Sequence, residues 1–182
     1  MLATTIEHEF QDIQLGDKRL NKRAKSMLSL LGANPTASIN EACGGWGETK
    51  GAYRLFDNPN VSADDILAAH TDKTLQRIAA QKTVCIAQDT TELDYTAHPP
   101  KDIRNLDRLG RRGLYDHSQI AFTPEKLCLG VVDVHFWDRD KESLGTSKQR
   151  KGEGLSTGEG QRWLDGYRKA CEIAGKCPDT QI

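Results

Sequence analysis

The sequence predicts a mixed α+β protein, with a small helical domain followed by part of an α/β core. Three observations carry this. Apolar residues recur at helical spacing up to about residue 80. After Gln81 the period changes, and three apolar, β-branched runs read as strands. A helical pattern near residue 160 then leads towards a further strand at Pro178-Asp179-Thr180-Gln181-Ile182. The two segments are expected to be 1–80 and 81–182.

The helical half begins with Asp17, which can cap a helix running to about Leu31 with Gly32 as its stop. Leu20, Ala24, Met27, Leu28 and Leu31 share one face, and Lys18, Arg19, Lys22, Arg23 and Lys25 occupy the rest. After the loop from Pro35 to Ile39, a short helix is expected from Asn40, interrupted by Gly44-Gly45-Trp46-Gly47. Glu48 to Phe56 reads as another helix, ended by Asn58-Pro59-Asn60, with Tyr53 and Phe56 assigned to the core. Ser62 with Asp65 three residues on resembles a capping box. The helix it starts buries Ile66, Leu67, His70, Thr74, Leu75 and Ile78, with His70 a packed residue rather than a ligand.

In the second half, residues 83 to 88 form the first expected strand, and the polar segment from Asp94 to Gly113 reads as a long loop. His117 to Thr123 and Leu127 to Trp137 form a hairpin around the turn Thr123-Pro124-Glu125-Lys126. The stretch 139–160, with Lys148-Gln149-Arg150-Lys151, is a basic connection. Trp163, Leu164, Tyr167 and Cys171 mark an amphipathic helix that Gly175 ends.

Composition narrows the function classes. The chain has 182 residues, 28% charged, and a net charge of -1, so any nucleic-acid surface must arise from local clustering of basic residues. The five cysteines form no C-x-x-C pair, and Cys85 and Cys128 lie in apolar runs that suggest core positions. That pattern argues against a disulfide framework or zinc site and fits a cytoplasmic protein. No apolar stretch approaches about 18 residues, and the N-terminus lacks the basic start and apolar run of a signal peptide, so no membrane partner is expected.

The residue with most chemical promise is Asp89, where the run Thr83-Val84-Cys85-Ile86-Ala87 gives way to polar residues. A carboxylate at the emerging end of a strand is a natural metal ligand, held on a rigid element with its desolvation offset by the ion. One carboxylate does not build a two-metal phosphoryl-transfer site. The basic helix face is the second candidate. It reads either as a solvated face or as a phosphate-contacting surface. Arg54, beside Tyr53, is the third.

Four segments in order resemble the cut-and-paste DDE transposases of the insertion-sequence-four group, Tn-five-like branch. They are Leu15-Gly16-Asp17-Lys18-Arg19-Leu20; Gly51-Ala52-Tyr53-Arg54-Leu55-Phe56 with Asn58-Pro59-Asn60-Val61-Ser62; Ala87-Gln88-Asp89-Thr90-Thr91-Glu92-Leu93-Asp94-Tyr95; and Glu159-Gly160-Gln161-Arg162-Trp163-Leu164. The second and third are the most specific. The resemblance implies a helical domain that binds double-stranded DNA at the transposon's inverted ends, with Arg19, Lys22 and Arg23 on its DNA-binding helix and Arg54 at DNA near the active site. It implies that the second half is a ribonuclease-H-like core whose first strand carries the first aspartate of an Asp-Asp-Glu triad, at Asp89. In such enzymes the triad holds two Mg²⁺ or Mn²⁺ ions.

By the same resemblance the second aspartate falls a handful of residues beyond Ile182, and the glutamate and the dimerisation region fall further on. Asp179, in a Pro-Asp-Thr turn, does not replace it. The expectation is therefore the N-terminal part of a transposase, truncated before the second aspartate, inactive alone and without productively bound metal. Two alternatives accompany it: an inactive relic or an inhibitor that occupies DNA ends, and an independent nuclease drawing substitute ligands from Asp94, Asp133, Asp138 or Glu142.

Overall fold

The computed structural model describes residues 2–107, 109–138 and 160–182. Glu142 and the basic stretch Lys148-Gln149-Arg150-Lys151 lie outside them. Two compact units emerge, Met1–Lys73 and Thr74–Ile182. The division falls inside a helix rather than at 80/81.

The first unit is helical: α1 (Leu2–Glu9), α2 (Lys18–Ala33), α3 (Ile39–Cys43), α4 (Trp46–Phe56) and the start of α5 (Ala63–Ala79). Local chemistry sets the helix starts. Asp17 caps α2 by accepting the Arg19 N–H at 2.6 Å. Ser38 and Glu41 form a full capping box on α3, and Ser62 and Asp65 exchange the same pair of bonds at the head of α5. The α2 stripe packs inward as its spacing requires. Ala24 and Met27 are buried beside Ile13, Leu15, Cys43, Ala52 and Leu55, with Leu20, Leu28 and Leu31 against them.

Two expectations fail here for packing reasons. Gly32 does not stop α2, which continues to Ala33 with Asn34 as its C-cap. A Cβ on Gly32 would lie 2.0 Å from Ile6 Cδ1, so the glycine is the seat on which α1 rests. Tyr53 and Phe56 are not core residues. Each is 48% exposed, because Thr49, Ala52 and Leu55 form the buried stripe of α4. His70 is packed as expected, its Nδ1 2.7 Å from Glu9 Oε1.

The second unit holds β1 (Cys85–Asp94), β2 (Gly113–Phe122), β3 (Cys128–Trp137) and α6 (Gly160–Lys176). The strands form one antiparallel sheet in the order β1-β2-β3. The hairpin turn lies as expected: Lys126 donates its N–H to the Thr123 carbonyl at 2.8 Å. β1 and β2 are longer than their apolar runs, because they pair along their whole length from Cys85↔Phe122 to Asp94↔Gly113. Gly113 is required at that corner, since a Cβ there would lie 2.1 Å from the Leu93 carbonyl oxygen.

Alternation assigns the two faces of the sheet. Ile86, Gln88 and Thr90 share the side on which Gln88 bonds the backbone of α6, and Cys85, Ala87 and Asp89 point the other way. Cys85 and Cys128 are therefore exposed, not core, whereas Cys43 and Cys177 are buried. α6 docks through the buried Gly166 and Ile173 and one edge of the half-exposed Trp163, while Tyr167 and Cys171 remain exposed. A Cβ on Gly166 would lie 2.1 Å from Gln88 Oε1 and 2.3 Å from Gln119 Nε2, so any larger residue would have to displace these two side chains. After α6 the chain returns to the sheet. Gln181 bridges Thr83 in parallel, exchanging bonds of 2.8 and 2.9 Å with Val84 and Lys82.

Candidate nucleic-acid interface and the Asp89 strand

Five basic residues and no acidic ones lie on α2. Two of them begin the helix, where the macrodipole disfavours cations. Asp17 offsets this. Besides its capping bond, its carboxylate holds the Arg19 guanidinium at 3.1 Å. The Arg19 side-chain and backbone bonds hold the Asp17 carboxyl below its usual range. Arg19, a predicted DNA contact, is thus 91% exposed at its side chain yet clasped to its own cap. Lys25 turns inward to the Gln11 carbonyl and serves the fold.

Lys22 and Arg23 differ from these two. Both are exposed and make no side-chain hydrogen bond or ion pair among the described residues. Arg23 lies on the flank of α2 next to α4: its Nε is 3.8 Å from where a Cβ on Gly51 would sit. Arg54 is three residues beyond Gly51, exposed and likewise without a partner among the described residues. Arg23 and Arg54 therefore rise from neighbouring helices, a juxtaposition that the sequence did not show. An open groove of about 520 Å³ beside Arg23 is lined in part by Asp17, Arg19, Asn58 and Asn60. Free guanidinium groups give up only water when they meet a phosphate, and their forked donors suit it.

The sequence reading missed Trp46 and Lys50 on the same helix. Trp46 is 78% exposed, and Lys50 is exposed one turn later. Their spacing from Arg54, eight and four residues, was a readable sign of one helical face.

In the second unit Asp89 sits in the middle of β1, not at its emerging end, and its carboxylate is exposed on the face away from α6. Its Oδ1 accepts the Thr90 N–H at 2.8 Å. It lies opposite Ser118, whose hydroxyl donates to Asp116 Oδ1 at 2.6 Å. Asp116, which sequence reasoning did not single out, shares that face.

The substitute ligands do not gather there. Asp133 is in register with Gln119 and Gln88 and so lies on the opposite face from Asp89. Asp94 is five residues along the strand, again on the opposite face, with its Oδ1 on the Thr96 N–H. Asp138 pairs with Arg104. Among the described residues no three His, Cys, Asp or Glu side chains gather to hold a metal. Asp89 and Asp116 alone are too few for a pair of divalent ions, so no metal-dependent step is assigned to the described residues.

Behind Asp89, on the α6 side, His117 is buried. Its Nε2 faces Gln88 Oε1 at 3.1 Å and its Nδ1 the Thr90 hydroxyl at 2.7 Å, so in the neutral ring the proton sits on Nε2 and Nδ1 accepts from Thr90. Burial, aided by the nearby Arg162 charge, lowers its pKa. Trp163 packs edge-on to it at 5.1 Å, and Arg162 lies 3.7 Å above the Trp137 ring. This cluster packs the β1-β2 face behind Asp89 against α6.

Residues 3–61 match the family model described as transposase DNA-binding. The matched segment runs from α1 through the Asn58-Pro59-Asn60 turn and contains Arg19, Lys22, Arg23, Lys50 and Arg54. The match supports a transposase as the class of protein and DNA as the partner of this unit. No described helix is long and apolar enough to cross a membrane.

Proposed function

We propose that the chain is the end-binding part of a cut-and-paste DDE transposase of the insertion-sequence-four, Tn-five-like group. The observation that carries this is the position of Arg23 and Arg54, without a partner among the described residues, inside the segment that matches transposase DNA-binding. They hold the phosphates of double-stranded DNA at the element's inverted ends, with Lys22 beside them and Arg19 released from Asp17 or shared with it. Binding of this kind is salt-dependent and uses phosphate contacts for register.

Asp89 is the first carboxylate of the catalytic set in this reading. The antiparallel β1-β2-β3 sheet, followed by α6 and the parallel bridge at Gln181, supports a ribonuclease-H-like arrangement. A strand continued in that register would run parallel to β1 and pass Asp89. The described residues alone occupy DNA ends without cutting them, in the cytoplasm.

The test is an anisotropy titration of the protein with labelled inverted-repeat ends and with scrambled duplex of equal length. Tighter binding to the ends, weakening steeply with salt, is expected. Equal, weak binding to both would contradict end recognition.

A further inference from the structure

The exposed face of α4 carries more than the arginine its motif supplies. Trp46, Lys50, Tyr53 and Arg54 fall at i, i+4, i+7 and i+8, all exposed, with Trp46 at 78% and Tyr53 at 48%. Glycines flank the tryptophan. A Cβ at Gly45 or Gly47 would meet open space, so no other element crowds the head of the helix where the exposed indole lies. Leaving so large an apolar ring in water forgoes burial, and an exposed aromatic set among cations suits a partner that offers both flat apolar faces and anions.

We propose that this face is a stacking platform for an unstacked nucleotide. Trp46 covers a base, and Lys50 and Arg54, about 6 Å and 12 Å further along the helix, hold the phosphates of the same strand. Inside a duplex every base face is already stacked on its neighbour. The faces open to an indole are those of the terminal pair and of unpaired nucleotides. The ligand is thus a DNA terminus or an unpaired stretch beside one, rather than continuous duplex. The inference rests on the reading of this unit as DNA-binding and names the feature of the DNA that α4 selects.

The test uses the full chain and three DNAs of equal duplex length: a covalently closed circle with no terminus and no unpaired nucleotide, a blunt linear duplex, and a linear duplex with three unpaired nucleotides at one end. The wild type is expected to bind the unpaired end about ten-fold more tightly than the closed duplex, with quenching of tryptophan emission that is absent in Trp46→Phe. Trp46→Ala should lose the preference while keeping its affinity for closed duplex, and Trp46→Phe should keep most of the preference. Circular dichroism of both variants checks that the helices remain. Equal affinity of the wild type for all three DNAs would overturn the platform and leave DNA binding standing. A preference that survives in Trp46→Ala would also overturn it. Failure of the wild type to bind any of the three would overturn both readings.

Discussion

The two units employ their arginines differently. In the second unit each described arginine is engaged. Arg77 donates to the Leu129 carbonyl at 2.5 Å, and Arg112 to the Ile103 carbonyl at 2.6 Å. Arg104 meets Asp138, Arg168 meets Asp165, and Arg162 lies over Trp137. Arg111 meets Glu92 and Asp107, which raises its pKa further. In the first unit Arg23 and Arg54 stand exposed with no partner among the described residues, and only Arg19 is held. Cations that have satisfied their charge internally serve the fold. Cations left unsatisfied on one surface remain available to a polyanion. The difference supports the proposed DNA-binding surface even though the whole chain carries a net charge of only -1.

The sharpest way to separate the units is to damage one core at a time. Leu55 is fully buried in the helical unit, so Leu55→Ala is expected to cost about 2–5 kcal/mol and to abolish DNA binding with the fold. Denaturant unfolding followed by circular dichroism measures this. Gly166→Ala forces a methyl against Gln88 and Gln119 and is expected to cost about 1–3 kcal/mol in the second unit. DNA affinity should not change; a parallel loss would break the division of labour.

A smaller effect comes from pH. The pKa of His117 is lowered in the folded state, so the unfolded chain takes up its proton first. Its contribution to stability is complete above the ordinary imidazole value of 6.5 and is lost as pH falls through that value towards the folded one. Melting of the second unit is expected to decline below that point, and His117→Gln should flatten the decline. An unchanged slope in the variant would assign the pH dependence to other groups.

Features legible in the sequence were those set by neighbours along the chain. The α2 stripe, the Ser62–Asp65 box and the Thr123–Lys126 turn depend on short-range spacing and lie where that spacing puts them. Features that depend on distant partners were not legible. α1 is held by a hollow that Gly32 opens for Ile6, the far half of β1 by its pairing with β2, and α6 by the gap at Gly166. The site divides the same way. Arg54 stood out from its motif. The exposure of Tyr53 and Trp46 needed the knowledge that α4 buries Thr49, Ala52 and Leu55, and the separation of Asp133 from Asp89 needed the strand register.

Arginines without a partner among the described residues are proposed to bind DNA, and partnered ones to hold the fold. The most direct test compares Arg23→Ala/Arg54→Ala with Arg77→Ala, measuring DNA affinity against salt and thermal unfolding for each. The first variant should lose at least about ten-fold in affinity, with the log–log salt slope smaller by about one per lost phosphate contact and an unchanged melting curve. The second should melt earlier, its Leu129 carbonyl left without the guanidinium, and bind DNA normally while folded. Unchanged affinity and salt slope in the double variant would contradict the account.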